Sequence, residues 1–189
     1  MPLHRRLRRS PALLTLALGM ALSMPDGALR AQGSGPYLEA VAEHFGVSPD
    51  EVRILSGWGV QPDEIPVVLT IAAAAGVSTD AVLALRRSGR SWGDLATRYS
   101  FSAARLYVPL PEGRPLGALE RIYGEYRSRP STAWAGIDVQ DTEMVGLVNL
   151  RFLAEFLGQP PAAVLDAWVR TGSGVAAFAA LRSAPEPVP

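Results

Sequence analysis

Cysteine is absent from all 189 residues, and so is lysine. Without Cys there is no disulfide, no thiolate metal ligand and no lipid-anchored Cys at a processed N-terminus. Histidine is reduced to His4 and His44. Two His and scattered carboxylates are too few to build a zinc or haem site, so neither a metal site nor a cofactor is expected. Aromatic residues make up 7% of the chain, which leaves each Trp and Tyr conspicuous. No stretch alternates apolar and polar residues with period two for long enough to argue a sheet. What remains is a chain that must be helical and held by packing alone.

The first residues have the pattern of an export leader. Arg5, Arg6, Arg8 and Arg9 give a basic start, and residues 12–22 form an uncharged apolar run. That run is about half of the ~20 residues a membrane span needs, so it reads as a secretory signal over residues 1–31, cut after Ala31. The expected location is periplasmic or secreted, with no transmembrane helix in the mature chain. Residues 32–35 read as a short linker after the cut. The formal charge is zero, but removing residues 1–31 takes five Arg and one Asp. That leaves 13 Arg against 17 Asp plus Glu, a net charge of about −4. A mildly acidic chain has little bulk attraction for polyanions. All basic residues are Arg, whose planar head suits carboxylate and phosphate.

Three segments share one pattern: Gly46-Val47-Ser48-Pro49-Asp50-Glu51-Val52, Gly76-Val77-Ser78-Thr79-Asp80-Ala81-Val82 and Gly158-Gln159-Pro160-Pro161-Ala162-Ala163-Val164. Each follows an apolar helical pattern and opens a second short helix. The Gly fits a left-handed helix end, and Ser48 with Glu51 fits a capping box around Pro49. Ser91 and Asp94 form a further cap, and Asp141 is placed to cap a helix over 142–157. The expected fold is all-α: a compact array of short helical hairpins with an irregular Pro/Gly-rich central insert. The single domain is set at 32–184, with hairpins near 37–57, 62–89 and 141–172 and the insert at 108–140. Residues 185–189 read as a disordered Pro-rich tail.

Few residues suggest catalysis. The pairs Asp50/Glu51 and Asp63/Glu64 fall at helix starts, where acids are electrostatically favoured. Glu39 and Glu43 share one helical face, the spacing a sugar-hydrolysing acid and base could use. His44 ends the first helix, where the helix dipole welcomes it. The serines sit mostly at caps, and Gly172-Ser173-Gly174 reads as a turn.

Residues 92–107 (Trp92-Gly93-Asp94-Leu95-Ala96 through Ser102-Ala103-Ala104-Arg105-Leu106-Tyr107) resemble the helix-turn-helix of bacterial DNA-binding regulators. That likeness implies nucleic-acid binding through residues 91–108, with Arg98 and Arg105 reaching the backbone or bases. Ser100 stands where such turns carry Gly, and Pro109 stops the second helix early. The phrase Leu38-x-x-Val41-Ala42-x-x-Phe45-Gly46-Val47-Ser48 is similar to the helical part of LysM peptidoglycan-binding modules, without their flanking strands. Val82-Leu83-Ala84-Leu85-Arg86-Arg87-Ser88-Gly89-Arg90-Ser91-Trp92 with the later insert resembles a group of uncharacterised exported bacterial helical-repeat proteins. This last likeness implies location and fold, and no activity.

The remaining candidate is a contact surface of Arg86, Arg87, Arg90, Trp92, Tyr107, Tyr123, Tyr126, Arg127, Arg129 and Trp134. Arg, Tyr and Trp are enriched at interfaces. The leading expectation is therefore a non-catalytic exported protein that binds another envelope protein, a peptide or a cell-wall polymer. A helix-turn-helix nucleic-acid binder with an uncut N-terminus is one alternative. A cell-wall-associated hydrolase or binding protein is the other.

Overall fold

The structure, a computed structural model, describes residues 26–183, with side chains from Ser34 onward. Residues 1–25 of the expected leader and all of the Pro-rich tail lie outside the described residues. The chain is all-helical: ten α-helices, three 3-10 turns and no strand among the described residues. They are α1 (Asp26–Phe45), α2 (Pro49–Gly57), α3 (Ile65–Ala75), α4 (Thr79–Arg87), α5 (Trp92–Arg98), α6 (Ala103–Leu106), α7 (Glu120–Ser128), α8 (Asp141–Leu157), α9 (Pro161–Thr171) and α10 (Gly174–Ser183). The 3-10 turns are Pro62–Glu64, Gly117–Leu119 and Ser131–Gly136.

The repeat is real at the level of hydrogen bonds. Gly46, Gly76 and Gly158 share φ values of 65°, 65° and 61°. The residue after each Gly donates back across the helix end: Val47 to Ala42 O, Val77 to Ala72 O, Gln159 to Ala154 O, at 3.0–3.1 Å. This is the bond that turns a helix sharply while satisfying its last carbonyls. Ser48 and Ser78 then cap α2 and α4 by accepting from the Glu51 and Ala81 N–H groups. The third copy lacks a capping hydroxyl and relies on Pro160 and Pro161, whose fixed φ suits a helix start.

Local expectations shifted in three places. Residues 32–35 are not a linker but part of α1. Ser34 and Tyr37 are buried, and such packing overrides the poor helix propensity of Gly and Pro. The Ser48/Glu51 box is half formed, because Glu51 turns away to accept from Thr79 Oγ1 of the next hairpin at 3.3 Å. The cap of α8 is Gln140, not Asp141, and Glu143 accepts from its N–H at 2.9 Å. Asp141 is otherwise engaged: it accepts from Trp92 N and Arg86.

α8 is the axis of the molecule, buried along most of its length. α3 packs on one side of it together with α1 and α10, and the α9–α10 hairpin closes the end. The 3-10 turn Gly117–Leu119 crosses α8 closely at Gly146, where a Cβ would meet Leu119 Cδ2 at 2.9 Å. The insert folds into α7 and the turn Ser131–Gly136, which covers α6. Leu116, Leu119, Ile122, Tyr123 and Tyr126 form its buried face.

Between α5 and α6 the chain reverses at Ser100, whose φ of 54° makes it the one non-Gly residue with positive φ among those described. The left-handed region costs an L-residue about 1 kcal/mol or more. Ser100 is exposed, so its side chain has little packing to lose. We expect Ser100→Gly to raise the unfolding free energy by about 0.5–1 kcal/mol, after allowing for glycine's freer unfolded chain. Urea denaturation checks this, and a midpoint below wild type would refute it.

Candidate functional site

The ten residues expected to form one contact surface do not share a surface. Trp92 is 0% exposed, and Tyr123 and Tyr126 are each 3% exposed. All three are core. Trp92 Nε1 donates to Glu64 at 2.9 Å, and Arg86 lies over its ring at 4.6 Å. Arg86 also bridges Glu64 and Asp141, at 3.1 and 2.7 Å. This arginine ties α4 to α8 and the turn before α3; it is a strut rather than a contact residue.

Tyr123 donates to Val108 O and Tyr126 to Ala103 O. Their rings pack edge-on, with Tyr107 and Trp134 closing the cluster at centroid distances of 4.4–6.0 Å. Trp134 Nε1 donates to Tyr126 O. Burial raises both buried tyrosines well above their ordinary pKa, so they serve as neutral donors. Of the ten, Arg87, Arg90, Arg127 and Arg129 are exposed. Arg87 lies over the exposed Trp58 ring, and Arg129 pairs with Glu125 at 2.6 Å.

The helix-turn-helix likeness does not extend to three dimensions. α6 is four residues long, a single turn that cannot lie along a groove of DNA. Arg98 and Arg105 fold back over Tyr99 and Phe101. Ser102 makes no side-chain cap bond. The LysM-like phrase forms the α1–α2 hairpin, with no strand beside it. Glu39 and Glu43 are both exposed on α1, and neither lines a cleft described below.

A deeper polar node lies where four distant segments meet. Tyr37 Oη donates to Asn149 Oδ1, and Asn149 Nδ2 donates to Asp63 O and Val145 O at 2.8 Å. The Asp63 carboxylate accepts from Gly174 N and Val175 N at 3.1 and 3.0 Å, capping α10. Burial pushes the Asp63 pKa up more than those two N–H donors pull it down. A cleft of about 600 Å³ opens beside this node, lined by Gln61, Pro62, Asp63, Val175 and Ala176. Among the described residues its one ionisable group is Asp63, already committed to the helix cap.

A different cleft carries charge at its rim. It has a volume of about 380 Å³ and is bounded by four helices. His44 and Phe45 come from the end of α1, while Thr70, Ala73 and Ala74 come from α3. Leu147, Val148, Arg151 and Phe152 come from α8. Phe101, Arg105 and Leu106 close the far wall. The alanines of α3 create the space, since a larger residue at 73 or 74 would fill it. The aromatic wall is continuous: His44 sits 5.0 Å from Phe152 and 4.9 Å from Phe45.

The charged groups of this cleft are of one sign. Arg105 and Arg151 line it, and neither makes an ion pair among the described residues. Arg151 Nη2 donates to Tyr107 O at 3.0 Å, just past α6. Both arginines therefore belong to the α6 end of the cleft. At the α1 end, His44 Nε2 is 3.7 Å from Glu155. Burial lowers the His44 pKa from its ordinary value, and Glu155 only partly offsets this. His44 is therefore a neutral, aromatic wall at neutral pH.

Sequence reasoning missed this cleft because its parts are spread over residues 44–152. Arg151 sat unremarked in a long apolar helix, and that was the one local signal. No protein-family model, curated protein sequence or solved structure matches this chain.

Proposed function

We propose that this chain is a non-catalytic binding module of an exported protein, and that it binds its partner through the cleft between α1, α3, α6 and α8. The single observation that carries this reading is the cleft itself: an apolar trough of about 380 Å³ with two arginines free of carboxylate partners. That volume lies in the ordinary range for small-ligand sites, roughly 300–1,000 Å³, which are mainly apolar with a few orienting polar groups. The non-catalytic part rests on how the other ionisable groups are used. Asp63 and Asp94 cap helices, and Glu64, Asp141 and Glu143 hold arginines. The export part rests on the basic, apolar leader pattern of residues 5–22. Among the described residues no single helix is long and apolar enough to cross a membrane.

This reading moves the contact face away from the Arg/aromatic neighbourhood of the insert. Three of those aromatics are core, and Arg86 is spent on internal pairs.

Ala73 provides the test. It is exposed on α3 and lines the cleft, so Ala73→Trp fills the trough without disturbing the core. The neutral environment-sensitive dye Nile red should brighten with the wild-type chain and lose most of that response with Ala73→Trp. The melting temperatures of the two should agree within about 3 °C. An unchanged dye response in the folded variant would remove the cleft from consideration.

A further inference from the structure

We infer that the ligand of this cleft is a straight-chain acyl carboxylate, with its chain along Ala73, Ala74 and Phe152 and its head at Arg105 and Arg151. The inference rests on the cleft being the binding face. It goes further by assigning a chemical class.

Three features carry it. The first is a polarity gradient along the trough. Arg105 lies on α6 and Arg151 reaches Tyr107 O just past it, while the wall towards α1 is Phe45, Phe152 and a neutral His44. A ligand with one anionic end and one apolar end matches that gradient in a single orientation. Arginine pairs with carboxylate through parallel N–H bonds, which fixes the head geometry. Arg151 is already steadied by Tyr107 O and Arg105 by the Phe101 ring. Both heads are held in place before a ligand arrives, which limits the ordering cost of binding.

The second feature is the state of the walls. Every lining residue except Phe101 lies in an α-helix. Most backbone N–H groups along the wall are taken up by bonds within their own helices, and Phe101 N donates to Ala96 O at 2.8 Å; the carbonyls left over are those in the last turns of α1 and α3 and in the short α6. For a peptide's carbonyls the wall offers few donors beyond the Thr70 hydroxyl and the charged rim. A peptide laid in the trough would bury amides without partners, at a cost of about 1–3 kcal/mol each. A hydrocarbon chain carries no such groups.

The third feature is charge. Among the described residues no carboxylate lines the trough, although the chain beyond residue 31 is acidic overall. Glu155, one turn along α8 from Arg151, is turned to His44. The charges on the lining itself favour an anionic head.

The experiment compares laurate with dodecanol by titration calorimetry on the full chain, below the concentration at which either aggregates. Laurate should bind about tenfold more tightly than dodecanol, a difference of about 1.4 kcal/mol. Arg105→Gln should cut that preference to about threefold or less, and Arg105→Glu should abolish it. Arg105 is exposed and makes no ion pair among the described residues, so both variants should fold; Ala73→Trp should lose both ligands. Equal binding of laurate and dodecanol, both sensitive to Ala73→Trp, would overturn the carboxylate assignment and leave the cleft standing. Failure of both ligands, with Nile red still bound and still blocked by Ala73→Trp, would overturn it in the same way. Failure of Nile red as well would sink both readings. Tight binding of a capped acidic peptide in place of laurate would assign the trough to a peptide and overturn the acyl inference.

Discussion

Trp92→Ala should destabilise the protein by about 3–5 kcal/mol, the usual cost of emptying a fully buried indole site. Trp92 is 0% exposed, and its removal leaves more than a cavity. The Nε1–Glu64 bond and the stacking of Arg86 disappear together. Glu64 keeps its pair with Arg86 at 3.1 Å, so the carboxylate is not orphaned, and the loss is mainly of packing. For a domain of this size the melting temperature should fall by about 6–20 °C. Trp92→Phe separates the terms: it keeps the ring volume in part and removes the indole donor, for about 1–2 kcal/mol. Denaturant unfolding of both variants checks the ordering. A loss below about 1 kcal/mol for Trp92→Ala would return Trp92 to the surface, where its Arg-rich context had placed it.

Gly93→Ala should be comparably severe for a different reason. Gly93 is buried at the start of α5, and a Cβ there would lie 2.3 Å from Val139 O and 3.5 Å from Val139 C. The obstacle is backbone, so no rotamer change relieves it. Residues 137–140 would have to move away from α5, drawing Ile137 and Val139 out of the core. Overpacking of this kind costs about 3 kcal/mol. The near-UV circular dichroism of the Tyr107, Tyr126 and Trp134 cluster should weaken as well, because the turn carrying Trp134 leads directly into that segment. Full wild-type stability in Gly93→Ala would mean that α5 and residues 137–140 do not touch.

The two variants probe the region where reading from sequence succeeded least. Hairpin ends were legible because each is decided within seven residues: a left-handed Gly, a capping Ser, a Pro at the first helical position. Gly46, Gly76 and Gly158 behave alike for that reason. The capping box at Ser91 and Asp94 formed as its sequence implies, with both reciprocal bonds present. The cap of α8 slipped by one residue because a tertiary demand competed. Asp141 has a short polar side chain suited to a cap, but Arg86 and the Trp92 N–H, far away in sequence, claim it.

The Arg/aromatic surface failed for a compositional reason. Trp and Tyr with Arg mark interfaces and cores alike, since an indole or phenol needs a polar partner wherever it is buried. Tyr123 and Tyr126 found theirs in the backbone carbonyls of Val108 and Ala103, which no local spacing announces. The cleft was illegible for the opposite reason. Its alanines, phenylalanines and arginines are ordinary members of four separate helices, and only packing sets them face to face. Glu143 is a further case. It is 1% exposed, a position where a carboxylate survives only if paired, and its partner Arg121 lies a full insert turn earlier.

The node at Asp63 bears on how the molecule is completed. Its carboxylate holds the first turn of the last helix, while Tyr37 on the first helix reaches the same Asn149 that grips the Asp63 carbonyl. The ends of the described chain thus close a loop, and that closure needs Tyr37, Asp63, Asn149 and Gly174 to be present together. Stacked repeats grow from any point and tolerate trimming from either end. This molecule should not: a chain stopped before Gly174 would leave the Asp63 carboxylate without the helix it caps and take from α1 one of the helices it packs on.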